Sequence, residues 1–555
     1  MRMRRSAPLQ LHMTNKIDDL LTQLGTGRWN ALHFFITGYC MGLTTYHALA
    51  AAFLTPHIDY TCITPVTGEE EGPSIHLGIA KDTGYRNGSR RDECTFVVEN
   101  PSNGTYSEFP CSQWRFDNST FSSTITSEFN LACDREHLRA WYQSIYMSGI
   151  FLGGLCCAFL ADKYGRKRMI VFGLLVYVCL GLLASWLRNF SALLFCRFVM
   201  GVMMPFCGNI AYVLLIEVTE ARLRPIMGVV AGLPWAFGIL ILAGTGYLIR
   251  SWRWLQFVSS VPGVALIPLL LFMDESPRWL AVAGYHDRAL IVLRKAARWN
   301  GTTLPSDDVI MSISRECQDV ETSSKPPKHQ TVREKFRAAT ENFIILFRTT
   351  KLRKITAIMY MNYLVLNMVY YGLSLSGGNL SKDPYVFMAL SGLMEIPAYS
   401  LTIPIVSRFG RRVPGVGSFL LSGLMLLSLI PTPKDYVITT MTLAMVGRVA
   451  ISSAFQIVVF YSSELFPTEV RSRGISTSFM VGRIGSIVSP FITELLVIAF
   501  PWAPSLVFGA TSIVAAVATL TLPETQGVAL PDTVASLEER ADRAYSKSPR
   551  AESTS

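Results

Sequence analysis

The chain has 555 residues, of which 50% are hydrophobic and only 16% charged, with a mean hydropathy of +0.33. Soluble domains carry about a quarter of their residues as charges, so this composition excludes an ordinary water-soluble enzyme. The formal charge of +10 does not argue for a nucleic-acid partner: the basic residues fall mainly in short loops between apolar runs, where they set membrane orientation and meet anionic lipid.

Residues 1–30 form a polar, basic arm that ends in IDDLLTQLG, a short amphipathic segment. The arm has no apolar core of a cleavable signal, so the first apolar run reads as a helix that stays. Twelve runs follow, each long enough to cross about 30 Å of hydrocarbon: 31–54, 139–161, 169–187, 191–216, 225–249, 254–273, 354–376, 385–406, 413–431, 436–461, 474–499 and 503–522. Between the first two lies a polar loop, 55–138, with Cys62, Cys94, Cys111 and Cys133 and three sequons at Asn87, Asn103 and Asn118. Four cysteines in such a loop fit an oxidising compartment and allow three pairings, among which spacing does not choose. The loop is therefore expected to be extracellular and glycosylated.

The second and third runs are joined by DKYGRKR, residues 162–168. A turn this short makes the two spans antiparallel neighbours, and its Arg/Lys cluster places it on the cytoplasmic side. Gly165 permits the reversal, and Asp162 can pair with a basic residue or face a helix N-terminus. A second polar insert, 274–352, separates the sixth and seventh runs and is expected in the cytoplasm. Its strings DESPRWL and VREKFRAATENF suggest short helices against the membrane face. The tail, 523–555, is polar and expected to be disordered. With an even number of spans, both termini lie in the cytoplasm.

The chain repeats itself at an offset near 250 residues. DKYGRKR recurs as SRFGRRV at 407–413; Glu217 with Arg222 and Arg224 recurs as Glu464 with Arg471 and Arg473; Arg197 recurs as Arg448; and Glu275-Ser-Pro recurs as Pro523-Glu524-Thr. This is the pattern of parallel repeats, two six-helix halves at 31–273 and 353–522 around a central cavity. Ser407 stands where the first copy has Asp162, so the second turn lacks its acid.

The span 2–3 pattern, G-x₄-[A/L]-D-x-x-G-R-K/R, resembles the signature loop of major facilitator transporters. CSQWRFDNSTFSSTITSEFNLAC, ADKYGRKR, DESPRWL, YYGLS, EIPAY, SELFPTEVRSRG, RIGSIVSPF and LPETQG, in this order and spacing, resemble the solute carrier 22 family of organic cation, anion and zwitterion transporters. The resemblance implies an all-α membrane protein with the major facilitator fold, twelve transmembrane helices in two six-helix parallel-repeat halves, at the plasma membrane. It implies movement of small charged organic molecules by alternating access, and a monomer or weak oligomer. No cofactor or metal is expected, and coupling to Na⁺ or H⁺ is left open. No phosphate loop, H-E-x-x-H or nucleophile elbow occurs to suggest an enzyme. A sensor that binds without transporting is the reading from another class, and flux of a labelled substrate separates the two.

Two charges deep in the second half direct the substrate reading. Glu395 falls in the middle of helix 8 and Arg483 about nine residues into helix 11, where each costs at least ~2.5–3.5 kcal/mol unless it meets water, a partner or a solute. They either bridge the bundle or bind a charged substrate. The family resemblance implies an acid at the helix 8 position in cation and carnitine-type members, and an arginine at the helix 11 position in anion and carnitine-type members. Glu395 with Arg483 therefore suits a zwitterion such as carnitine, or an organic cation, with an organic anion as the alternative. Tyr363, Tyr370, Tyr371 and Trp235 are candidates for cation–π contact, or for packing. Asn209 and Tyr212 can bind substrate or Na⁺, or join helices. His33 and His47 are proton-shuttle candidates or satisfied core histidines. Asp162, Gly165, Arg166, Glu217, Arg222 and Arg224, with Arg411, Glu464, Arg471 and Arg473, read as a charge network holding the cytoplasmic side shut while the site faces outward.

Overall fold

The structure, a computed structural model, describes residues 7–63, 94–100, 105–324, 344–381, 383–433, 435–528 and 531–539. The sequons at Asn87 and Asn103 and the string VREKFRAATENF lie outside the described residues. Asn118 lies inside them and is exposed.

Twelve helical segments occupy the twelve expected runs, with ends shifted by a few residues. Spans 1–6 are Arg28–Leu49, His137–Tyr164, Arg166–Ala184, Phe190–Cys207 continued by Asn209–Val218, Arg224–Val230 continued by Leu233–Leu248, and Trp252–Leu269. Spans 7–12 are Thr350–Leu375, Pro384–Phe409, Arg412–Leu427, Val437–Leu465, Arg471–Phe491 with its extension to Ala499, and Ala503–Leu520. Eight of these are long and apolar enough on their own to cross a membrane. The segments at Arg28–Leu49, Trp252–Leu269, Thr350–Leu375 and Arg412–Leu427 are shorter or more polar, so they depend on neighbours to cover their polar groups. Local chemistry starts the helices where it can: the side chains of Asn189 and Asp383 accept amide hydrogen bonds at the heads of spans 4 and 8. Span 11 passes through a π-helical turn at Ile492–Leu496.

At one end of the bundle, strand Tyr60–Cys62 pairs antiparallel with Trp114–Phe116, and Thr95–Asn100 with Thr105–Pro110. The region is tied by disulfides Cys62–Cys111 and Cys94–Cys133, one of the three pairings that composition left open. We call this the disulfide end. The turns DKYGRKR and SRFGRRV mark the opposite, basic end. There, helix Ala7–Leu24 packs on linker helices His286–Asn300 and Asp307–Ser324 around Leu20, Leu293 and Ile310. Lys16 pairs with Glu316 at 2.6 Å, and the Asn300 amide reaches the Leu24 and Gly25 carbonyls. The string DESPRWL contributes a short helix, Pro277–Val282. The expected disorder of the tail is corrected in part: residues 531–539 fold back, with Thr468 N–H donating to the Pro531 carbonyl and Lys351 N–H to Glu538. Its apolar Val534 and Leu537 give it something to bury against the second half.

The two halves meet along spans 2 and 11 and along spans 5 and 8, and the contacts concentrate toward the disulfide end. Arg139 pairs with Glu494 at 3.1 Å, Trp141 meets Phe491 edge-on, and Ser144 Oγ donates to the Ile487 carbonyl at 2.8 Å. Tyr385 is clasped by Phe53, Phe121 and Tyr247 and donates its hydroxyl to the Thr120 carbonyl. Nearer the middle, Trp235 on span 5 donates to the Tyr370 hydroxyl on span 7, whereas the ion pairs of the two basic turns and of Arg224 with Asp18 each stay within one half. Among the described residues, the polar contacts between the halves therefore gather at the disulfide end and the middle.

Candidate functional site

The central feature is a fully buried ion pair in the second half. Glu395 sits on span 8, where the Glu-Ile-Pro-Ala-Tyr string places it on the face turned to span 10; it is 0% exposed. Its Oε1 accepts from Arg448 Nη2 at 3.0 Å and from Ser452 Oγ at 3.1 Å, both on span 10. Arg448 also donates to Ser374 Oγ on span 7, and its guanidinium lies over the Tyr370 ring at 4.5 Å. The Tyr370 hydroxyl in turn accepts from Trp235 Nε1 on span 5 at 2.8 Å, which ties the centre to the other half. Tyr371 stacks edge-on against Tyr370. One carboxylate oxygen, Glu395 Oε2, is buried and accepts no hydrogen bond.

This corrects the sequence expectation at its main point. Glu395 and Arg483 do not serve one another; Glu395 is held by Arg448, the repeat partner of Arg197. Arg483, on span 11, is half-buried and meets no carboxylate within 4 Å among the described residues. The aromatic candidates divide similarly. Tyr363 is buried, with its hydroxyl at 3.1 Å from Ser462 Oγ and its ring against Phe479, so it is packing and glue. Tyr370 already spends a ring face on Arg448. Asn209 and Tyr212 are exposed on span 4, beyond the break at Gly208. A polar amide at that depth requires water rather than lipid, so this face belongs toward the bundle's interior rather than the bilayer.

The first half repeats the buried arginine without the acid. Arg197 is 0% exposed, its guanidinium 4.5 and 4.4 Å from the Tyr142 and Tyr146 rings. It donates to Gln143 Oε1 at 3.3 Å, and its Nε and Nη1 have no partner. Of the two histidines, His47 is buried among Gln256, Ser260 and Tyr177. His33 donates from Nδ1 to the Trp29 carbonyl and accepts the Asp274 amide at Nε2. Both have the contacts of satisfied core histidines.

At the basic end the proposed network resolves into two parallel sets, each within its own half. Arg166 pairs with Asp162 at 2.8 Å and Glu217 at 3.1 Å. Arg411 pairs with Glu464 at 2.8 Å, and Thr525 Oγ1 donates to the same carboxylate. The missing acid at Ser407 is thus offset by Glu464 alone. Arg224 pairs with Asp18 of the N-terminal helix at 2.6 Å, a contact the sequence reading missed. Arg471 donates to the Phe466 carbonyl and Thr468, whereas Arg222 and Arg473 are exposed. Among the described residues, none of these bridges the halves.

The repeat of Glu275 and Glu524, seen in the sequence without a role, acquires one. Glu275 accepts the amides of Arg166 and Lys167, and Glu524 those of Arg411 and Arg412, so each carboxylate caps the span that follows the basic turn. The turns pass through Gly165 at φ +103 and Gly410 at φ +82, and a Cβ would collide with Glu275 at 2.5 Å or Glu524 at 2.6 Å. Burial pushes the Glu275 carboxyl above its ordinary value against the amides of Lys167, Ser276 and Arg166. At Glu524 desolvation also acts upward, but four amides together bring that carboxyl below its ordinary value.

Comparison with known proteins fits this architecture. The model of the sugar (and other) transporter family matches residues 99–534. An organic cation transporter protein of Drosophila melanogaster is 30% identical, over 93% of this chain and 93% of its own. Solute carrier family 22 member 20 of Mus musculus is 34% identical, over 80% of this chain and 78% of its own. The xylose transporter XylE from E. coli, in a partially occluded inward open conformation, superposes with a TM-score of 0.58 at 13% identity, covering 90% of this chain and 100% of that one. At that identity the likeness speaks to fold alone.

Proposed function

The chain belongs to the solute carrier 22 family of the major facilitator superfamily, a transporter and not an enzyme, and from that premise we propose that it moves small organic solutes bearing a carboxylate, zwitterions included, by alternating access at the plasma membrane. The observation that carries this is the distribution of buried charge. Glu395 is neutralised by Arg448, while among the described residues neither Arg483 nor Arg197 has a carboxylate within 4 Å. The middle of the bundle thus holds an excess of positive charge, which a carboxylate offsets and a simple cation aggravates. The ammonium end of a zwitterion then falls to open aromatic faces such as Trp235 and Tyr212 rather than to Glu395. Transport of plain organic cations is the second reading; it is favoured by the free Oε2 of Glu395, and by the name of the Drosophila relative.

Disulfides and the exposed Asn118 support an extracellular disulfide end, and the Arg/Lys-rich turns support a cytoplasmic basic end.

The test is competitive uptake of carnitine, benzoate and tetraethylammonium by wild type and Arg483→Ala at matched surface expression. Arg483→Ala is expected to lower carboxylate uptake roughly 30-fold or more and to spare or improve that of the quaternary cation. Equal loss of all substrates would make Arg483 structural. Uptake of tetraethylammonium but of neither carboxylate by wild type would hand the case to the cation reading.

A further inference from the structure

A cavity of about 250 Å³ lies at the basic end, outside the central cleft, where the span 2–3 turn meets the linker helices. Its floor is Trp279, whose Nε1 donates to the Asp162 carbonyl at 2.8 Å and whose ring lies against Gly165. Its walls are Tyr285 and Ile291, both exposed, and its rim carries Lys167, Arg168 and Arg288. Several neighbouring cations are neutralised: Arg166 by Asp162 and Glu217, Arg224 by Asp18, Lys295 by Asp274, Arg294 by Asp307. Among the described residues Lys167, Arg168 and Arg288 have no carboxylate within 4 Å; Lys167 reaches only the Leu271 carbonyl, and Arg288 lies 5.3 Å over the Tyr285 ring. The single acid lining the cavity, Glu275, is already engaged by the amides of Arg166, Lys167 and Ser276.

We propose that this cavity binds the phosphate headgroup of an anionic phospholipid of the surrounding leaflet. Three uncompensated cations around an apolar floor suit a phosphorylated headgroup, and a basic pocket at the end of transmembrane helices is a recognised place for one. A lipid rather than a free phosphate is favoured by what adjoins the rim: Leu271 at 78% and Phe272 at 57% exposure end span 6 beside Lys167, an apolar surface along which acyl chains lie. Because Glu275 and Trp279 also hold the Gly165 turn, a bound lipid bears directly on the turn that carries Asp162 and Arg166.

The test uses the full-length protein in phosphatidylcholine nanodiscs, titrated with phosphatidylinositol bisphosphate and read by native mass spectrometry. The variant Lys167→Gln/Arg168→Gln/Arg288→Gln is expected to bind roughly 100-fold more weakly, and Arg288→Gln alone, on the linker helix, about fivefold more weakly. The single variant keeps the test decisive if the triple one does not fold. Arg298→Gln, on the same linker helix but outside the cavity, should bind as wild type. Equal loss from Arg298→Gln would reduce the effect to general surface charge and overturn the site. Binding of inositol hexakisphosphate in neutral nanodiscs, with no binding of the lipid itself, would overturn the lipid assignment.

Discussion

Arg448→Met is expected to destabilise the protein by about 3–5 kcal/mol and to abolish uptake of every substrate. The figure is that for removing one member of a buried ion pair and leaving the other charged in low dielectric. Here the abandoned group is Glu395, 0% exposed, with Ser452 still donating to its Oε1 and no counter-charge beside it. The same substitution removes the cation from the Tyr370 ring and the donor from Ser374, so the link through Trp235 to the other half loosens as well. Glu395→Gln should cost less, because the amide still accepts from Arg448 and the guanidinium keeps Ser374 and the ring. The double variant Glu395→Gln/Arg448→Met removes both charges and should recover most of the lost stability, a coupling that unfolding of the purified protein measures through the four-member cycle. If the two single costs simply add, the pair is not the unit described here.

The location of this pair could have been reached from the sequence by counting depth. Glu395 is eleven residues past the start of span 8 and Arg448 eleven past the start of span 10. Both spans begin at the disulfide end, so at about 1.5 Å per residue the two charges lie at the same level, roughly 16 Å in. Arg483 lies sixteen residues before Ala499, roughly 24 Å from that end. A carboxylate prefers the arginine at its own depth. Pairing Glu395 with Arg483 ignores that offset; the arginine that holds the acid is Arg448.

Other parts were legible for the opposite reason. The basic turns impose the same geometry twice, a glycine at positive φ followed by an arginine that reaches the acid on span 4 (Arg166 to Glu217) or span 10 (Arg411 to Glu464), so the repeat in the sequence is a repeat in space. Long-range partners carried no such mark. Asp18 to Arg224 and Arg139 to Glu494 join residues more than 200 apart, and nothing in local pattern or periodicity selects one acid over another. Span existence was read from hydrophobic length, which bilayer thickness fixes; which faces of those spans meet depends on packing that length does not encode.

Arg139 and Glu494 carry the last expectation, that their pair is the latch of the disulfide end. It is the one ion pair between the halves among the described residues, with side chains 2% and 16% exposed. Arg139 also meets His57 Nδ1 at 2.9 Å and Glu136 at 3.8 Å, so it is the single cation in a cluster holding two acids. When the halves part at this end, as alternating access requires, each group regains water and the pair contributes little. Its stabilisation therefore belongs almost wholly to the state closed at the disulfide end. Arg139→Gln removes the cation and leaves Glu136 and Glu494 together in a closed interface, which should shift the balance toward the opposite state by roughly 100-fold, most of the energy of a broken buried pair. Glu494→Gln should shift it the same way but less, since Glu136 remains to hold Arg139. Spin labels on spans 1 and 7 near the disulfide end, in a background lacking the exposed thiols Cys156 and Cys179, should report a new, longer distance in Arg139→Gln. An unchanged distance distribution would transfer the closure to the apolar clasp of Tyr385 by Phe53, Phe121 and Tyr247, and the ion pair would then be a passenger on it.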